Sequence, residues 1–175
     1  GLSAGKVFLG PKARLLFWPR DLNSLLLRLP VSYGRVSDLF TVVASCGVRL
    51  DIKAAYRHIP ITATDARFHA AVVDGHWVTF NRLSFGMRES PVAFVYYLER
   101  TLARFRRSLP GATAALAQFV DDSGVSAVSP LEAVLAAERL IRALVADNWW
   151  VSVSKTFLVP CWRLLYCGLM VDFRG

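Results

Sequence analysis

The sequence predicts an α+β fold, an antiparallel sheet backed by helices, and three observations carry that expectation. Short β-rich apolar runs recur along the 175 residues. Two stretches of helical periodicity open on Ser-Pro pairs, Ser90-Pro91 and Ser129-Pro130, where Ser suits the cap and Pro the first turn. Between those helices Asp121-Asp122 stands at the tip of an expected hairpin whose flanks, Ala114 to Val120 and Val125 to Val128, read as strands. With 54% hydrophobic residues, the chain can bury one sizeable core.

Taken in order, Ala13 to Asn23 reads as a hydrophobic strand punctuated by Arg14 and Arg20 and closed by a turn at Asp21 and Asn23. Ser37, Leu39, Val42, Val43 and Cys46 have helical spacing, which predicts a short helix capped by Ser37 and stopped by Gly47. Val48 to Ile52 is a strand that ends in an acid, Asp51. Past the turn at Pro60, Arg67 to Val73 and His76 to Phe80 are two β-rich runs joined at Asp74-Gly75, a strong hairpin signal.

After Ser90-Pro91, Phe94, Leu98, Leu102 and Phe105 mark the apolar face of a long helix, with Arg100, Arg104 and Arg107 on another face and Pro110-Gly111 expected to end it. The next helix starts in a capping box, Ser129 with Glu132, and its apolar side is read as Val134, Ala137, Ile141, Leu144 and Val145, with Glu138 and Arg142 pairing outside. Trp149 to Val153 and Thr156 to Val159 are β-like with Lys155 between them, and Leu164 to Cys167 with Leu169 to Phe173 form a last hairpin broken at Gly168.

The balance of 21 Lys and Arg against 13 Asp and Glu leaves a net charge of +8, which favours a polyanionic partner and makes nucleic acid the leading expectation. Three cysteines, Cys46, Cys161 and Cys167, match no metal-ligand spacing and leave one over from any disulfide scheme. A reducing intracellular compartment is therefore expected. The apolar runs are too short to span a bilayer, so no membrane partner is expected. Because the chain begins at Gly1 without an initiator Met, a piece of a longer protein is expected. Gly5-Lys6-Val7 lacks the spacing and the Ser or Thr of a phosphate loop. His58, His69 and His76 have no ligand spacing and read as structural or surface residues.

Two adjacent carboxylates beside a buried sheet cost free energy unless cations neutralise them, and hard oxygen ligands suit magnesium. Taken alone, the Asp121-Asp122 pair is better explained as an acidic turn in solvent. The third acid changes the weighing, because carboxylates on neighbouring strand ends could hold two metal ions about 3.5–4 Å apart, the arrangement that serves phosphoryl transfer. A nuclease would use the same arrangement. A Gly-containing loop before a helix, an aromatic residue past Asp51 and upstream basic residues favour nucleotide addition.

These residues resemble the reverse transcriptases, over about Arg14 to Phe173. Leu50 to Tyr56 is similar to their motif A, Leu83 to Phe94 to motif B, and Phe119-Val120-Asp121-Asp122 to the aromatic-x-Asp-Asp of motif C. Trp149 to Lys155 and Leu165 to Gly168 resemble motifs D and E. The ordered set is far more specific than any one member. The phrasing of motifs A and B leans towards retroelements, among them the tyrosine-recombinase type.

The resemblance implies a right-hand polymerase palm over 48–175 and partial fingers over 1–47, with neither a thumb nor an RNase H segment, so the missing domains of a longer polyprotein are expected. It implies RNA-directed DNA polymerase activity on an RNA or DNA template with a primer, using deoxynucleoside triphosphates and two Mg2+ or Mn2+ ions. It assigns Asp51, Asp121 and Asp122 as metal ligands and catalytic acids and Lys155 as the motif D lysine. It also assigns Arg14 to the triphosphate, Tyr56 to the sugar, and Phe85 with Gly86 to the incoming nucleotide or template. Ser84 where many relatives have Pro, Ala54 where some have an acid, and the lack of Gln at Phe85 are departures that bear on the nucleotide pocket.

The rival from another class is a domesticated palm that no longer polymerises and serves as an RNA-binding or assembly scaffold. Retained Asp51, Asp121 and Asp122 weigh against it, because a scaffold gains nothing from costly clustered acids. A polymerase of ribonucleotides is disfavoured by the bulk of Tyr56.

Overall fold

The computed structural model describes residues 6–9, 15–109 and 113–174. In chain order the elements are β1 (Lys6–Leu9), β2 (Leu15–Trp18), α1 (Arg20–Leu25), a 3-10 turn (Val36–Phe40), β3 (Cys46–Asp51), a second 3-10 turn (Ala55–His58), α2 (Ala63–Ala66), β4 (Ala70–Val73) and β5 (His76–Thr79). There follow α3 (Ser90–Ser108), β6 (Ala114–Phe119), β7 (Asp122–Ala127), α4 (Pro130–Ala146), a third 3-10 turn (Val153–Lys155), β8 (Phe157–Cys161), β9 (Arg163–Tyr166) and β10 (Leu169–Asp172). Among the described residues pairing is antiparallel, and the main sheet runs β6-β7-β3-β8. The α+β architecture is the one expected. Among the described residues no helix is long and apolar enough to cross a membrane.

Two compact units divide the chain, one of 1–31 with 56–95 and one of 32–55 with 96–175. In the first, β1 pairs with β2 and β4 with β5. The β4–β5 turn takes the left-handed conformation at both Asp74 and Gly75, as an Asp-Gly hairpin requires. Phe17, Ala71, Phe80 and Met87 form its buried cluster, with Leu22 and Leu26 of the α1 segment packed against them. That segment is helical from Arg20 where a turn was expected. Asn23 does not close a turn but reaches across the unit, its amide donating to the Gly86 carbonyl at 2.8 Å and its carbonyl accepting from the Arg88 N–H.

The second unit is built on the four-stranded sheet. Val48, Leu50 and Ile52 point to one face of β3 and are fully buried, and α4 packs on that sheet. The opposite face carries Gly47, Arg49 and Asp51, by the period-two alternation of a strand. Leu39, Ala117, Leu164, Tyr166, Val171 and Phe173 form a further buried cluster of this unit.

Three local expectations change. Gly47 does not stop a helix; it lies inside β3, where a Cβ would stand 2.8 Å from the Phe173 ring, so the absent side chain is a packing requirement. Helix formation ahead of it is confined to Val36–Phe40, and the cap comes from Arg35, whose N–H binds the Asp38 carboxylate at 2.7 Å, and not from Ser37. On α4 the buried stripe is Ala133, Ala136, Ala137, Leu140 and Leu144, while Val134 and Val145 are exposed. Small alanines let the helix backbone approach the sheet, which bulkier Val would prevent.

The cap of α4 and the apolar face of α3 follow expectation, whereas Ser90 lies within α3 and does not cap it. Ser129 accepts from the Glu132 N–H, Pro130 sits in the first turn, and Glu138 pairs with Arg142 at 2.7 Å. Phe94, Leu98, Leu102 and Phe105 are buried along α3. The hydroxyl of Ser90, expected as a cap, donates to the Ser84 carbonyl at 2.7 Å and so ties the loop before the helix to its first turn. Trp149 to Val153 forms only a single bridge, Val151 to Ile52, before the 3-10 turn that carries Lys155. The hairpin β9–β10 turns at Cys167-Gly168, both left-handed. Pro110 and Gly111, expected to end α3, lie outside the described residues.

Candidate active site

The second unit brings the four expected acid-site residues to one end of its sheet. In the register of β3 against β7, Asp51 lies opposite Asp122. Beyond the strands, the Ile52 N–H donates to the Asp121 carbonyl at 2.8 Å. Asp51 and the Asp121-Asp122 pair, far apart in sequence, are thereby neighbours. Asp51 is 6% exposed, and its backbone is held from both sides, the N–H by the Thr156 hydroxyl at 3.2 Å and the carbonyl by the Ser152 N–H at 2.8 Å. Lys155, on the turn between those two partners, places Nζ at 3.1 Å from each carboxylate oxygen of Asp51.

The tip carrying the acid pair is a two-residue turn, Val120-Asp121, with Phe119 paired to Asp122. Val120 has φ of 51°, a left-handed conformation that a β-branched residue adopts only at a cost. The surroundings impose it. The Gln118 side chain donates to the Val120 carbonyl at 2.7 Å and accepts from the buried Ser123 hydroxyl. The Tyr166 hydroxyl donates to the Asp122 carbonyl at 3.2 Å. Tyr166 in turn needs Gly124 beside it, since a Cβ there would stand 3.1 Å from its ring.

Burial, followed by the negative charge of Asp121, pushes the Asp122 carboxyl above the usual range, with Asp51 adding to the rise; Arg49 and Lys155 oppose it. Desolvation also pushes the Tyr166 phenol well up, so it stays a donor. The cluster is therefore one of mutually repelling hard oxygen donors, the chemistry that a divalent cation relieves. With Lys155 on both oxygens of Asp51, no group of three His, Cys, Asp or Glu among the described residues is gathered closely enough to hold a metal ion as they lie.

The first unit collects the expected nucleotide residues except Arg14, which lies outside the described residues. Tyr56 is 9% exposed, its ring 4.9 Å from that of Phe85 and 5.6 Å, edge-on, from that of Phe94. Phe85 is tied to β2 through its carbonyl, which accepts from the Phe17 N–H at 3.1 Å. Gly86 has φ of 98°, a conformation that explains the glycine and turns the chain into the approach to α3. Buried Ser84, where a departure from the motif was noted, has a hydroxyl oxygen without a partner among the described residues.

Several residues that hold this site were not singled out from sequence: Arg49, Gln118, Ser123, Ser152, Thr156 and Tyr166. Gln118 and Ser123 pair with each other across the hairpin, symmetrically about the Val120-Asp121 turn, a polar bracket that the alternation of a buried hairpin makes conspicuous. The others hold it through main-chain contacts that no side-chain pattern announces.

The family described as "Reverse transcriptase (RNA-dependent DNA polymerase)" matches residues 41–171, more than half of the chain. None of the curated proteins matches. Among solved structures, the foamy viral protease-reverse transcriptase dRH in complex with double-stranded DNA is similar with a TM-score of 0.80 at 20% identity, over 97% of this chain and 29% of that one. The foamy viral protease-reverse transcriptase in complex with an RNA/DNA hybrid gives 0.79 at 19% identity, over 97% and 22%. The native protease-reverse transcriptase of Prototype Foamy Virus gives 0.74 at 21%, over 94% and 22%. At these identities the likeness is one of fold, and this chain spans less than a third of each of those chains.

Proposed function

We propose, for a chain that belongs to the reverse transcriptase family, that it is the catalytic part of an RNA-directed DNA polymerase, with palm over 48–175 and partial fingers over 1–47. The observation that carries this reading is the register that sets Asp51 opposite Asp122 and ties Ile52 to Asp121. The reaction is attack of a primer 3′-oxygen on the α-phosphorus of a deoxynucleoside triphosphate. A phosphorus–oxygen bond forms, the bond to the β-phosphate oxygen breaks, and pyrophosphate leaves.

Asp51, Asp121 and Asp122 would hold two Mg2+ or Mn2+ ions, and the donor set fits them: hard oxygens, with the Asp122 carboxyl raised first by burial and then by the charges of Asp121 and Asp51. When bound, such ions supply charge neutralisation at the attacking and leaving oxygens. Lys155, half exposed while its partner Asp51 is buried, can turn its ammonium from Asp51 to the departing pyrophosphate and donate a proton there. Tyr56 excludes a 2′-hydroxyl by its bulk, Phe85 and Gly86 line the nucleotide or template, and Arg14 grips the triphosphate. The template is RNA or DNA carrying a primer. The complexes of the foamy viral proteins with DNA and with an RNA/DNA hybrid support nucleic acid as the partner, as does the net charge of +8.

The test is primer extension by the full-length protein containing this chain, on an RNA template with deoxynucleotides and Mg2+. Extension with deoxynucleotides and far less with ribonucleotides is the expected result. Tight template binding with no incorporation under either metal would instead support a non-polymerising scaffold.

A further inference from the structure

Arg49 lies two residues before Asp51 on the same face of β3, where the polar member of an alternating strand would ordinarily turn to solvent. Its guanidinium is spent inside the second unit. Nη2 donates to the main-chain carbonyl of Lys155 at 3.1 Å, and Nη1 donates to the carbonyl of Leu165 on β9, also at 3.1 Å. Its Nε is buried without a partner among the described residues, so the group is held where it is at a cost in desolvation.

These bonds close a ring. Lys155 Nζ reaches both oxygens of Asp51, the Lys155 carbonyl is held by Arg49, and Arg49 returns to Asp51 along the strand. Lysine carries a flexible stem with a mobile head, so where its backbone is fixed decides where its ammonium can go. A planar fork that binds two carbonyls at once can fix that backbone, and at the same time sets the distance from the β9–β10 hairpin to the strand carrying Asp51.

We propose that Arg49 is a positioning residue for nucleotide addition, which holds the Lys155 turn and the β9–β10 hairpin in register with Asp51. The inference rests on the polymerase reading of Asp51 and Lys155. It makes Arg49 act through Lys155 and not by touching substrate. A displacement of about 1 Å at such a group can cost about 100-fold in rate, so Arg49→Met should lower kcat by roughly 10- to 100-fold while KM for the deoxynucleotide changes little.

The deciding experiment is a double-mutant cycle in the full-length protein, with single-turnover incorporation measured for Arg49→Met, Lys155→Met and the pair, and melting temperatures beside them. If Arg49 acts through Lys155, the pair is no slower than Lys155→Met alone. Losses that multiply would overturn the proposal and leave the polymerase reading intact, since a merely structural role adds to any other defect. Arg49→Lys separates geometry from charge: it should keep most of the loss, and full rescue by lysine would also overturn the proposal. An undiminished rate in Lys155→Met would remove the role of Lys155 itself, and the proposal with it. Absence of incorporation by the wild-type protein would instead sink the polymerase reading.

Discussion

The two units hold their candidate residues by opposite means. In the second, Asp122 is raised by burial and by the charges of Asp121 and Asp51, Val120 is left-handed at 51°, and Arg49 carries a buried Nε without a partner among the described residues. Each of these costs stability. In the first, Tyr56 packs its ring against Phe85 and Phe94, an arrangement that would stabilise a core whether or not a nucleotide ever came near. The contrast shows what makes a site readable from structure. Repulsion between buried carboxylates that nothing in the fold requires points to function, whereas a well-packed aromatic cluster supports core and gate equally and needs a functional experiment to separate them.

The comparison breaks most visibly at Asp121. Asp121→Asn is expected to lower incorporation by roughly 1,000-fold or more, in line with loss of a charge-stabilising group at a reacting centre, with the fold retained. Retained extension, read on a sequencing gel, would place the acid pair among ordinary solvated turns.

Tyr56 comes next, and there the two roles of the ring predict different things. Tyr56→Val removes a ring packed on two others, so a stability loss of about 2–4 kcal/mol is expected from denaturant melts. If the ring is also a gate, the ratio of kcat/KM for deoxynucleotide over ribonucleotide falls by about 100-fold, because the obstacle to the wrong sugar is gone. Equal loss for both sugars would make Tyr56 a core residue only.

The smallest expected effect runs the other way. Since the folded Asp122 carboxyl titrates above its usual range, the folded state is favoured by the protonated form, and that contribution is lost as pH rises through the folded pKa. Asp122→Asn should therefore melt higher than the wild type at neutral pH, by about 2–4 °C for each kcal/mol relieved. The difference should vanish below the ordinary carboxylate range, where the wild-type group is protonated in both states. A variant that melts lower at neutral pH would mean that Asp122 is well paired and the repulsion account is mistaken.

The sequence disclosed these regions unequally, for physical reasons. The acid site was legible because Asp51 and Asp121-Asp122 end apolar strands, where charge is conspicuous, and because a hairpin register is nearly dictated by alternation. The face of α4 was legible only in part. In a chain with 54% hydrophobic residues both sides of the helix are apolar: Ala137 and Leu144 of the expected stripe are buried, but Val134 and Val145 are exposed and Ala133, Ala136 and Leu140 complete the buried face. Arg49 was invisible for a related reason: an Arg on an alternating strand reads as solvent-facing, and nothing in its neighbours tells that main-chain carbonyls of Lys155 and Leu165 await it. Gly47 misled because glycine after a helical pattern signals a stop, while here the Phe173 ring demands it.

If a divalent cation relieves the repulsion in the second unit, Mn2+ titration followed by thermal melting reads it without any need for turnover. Binding to the folded state alone stabilises by about 2.7 kcal/mol at a hundredfold excess over Kd. The melting temperature of the wild-type protein should climb with Mn2+, with a much flatter response in Asp121→Asn. An equal rise in both proteins, or none in either, would contradict relief of the repulsion by the cation.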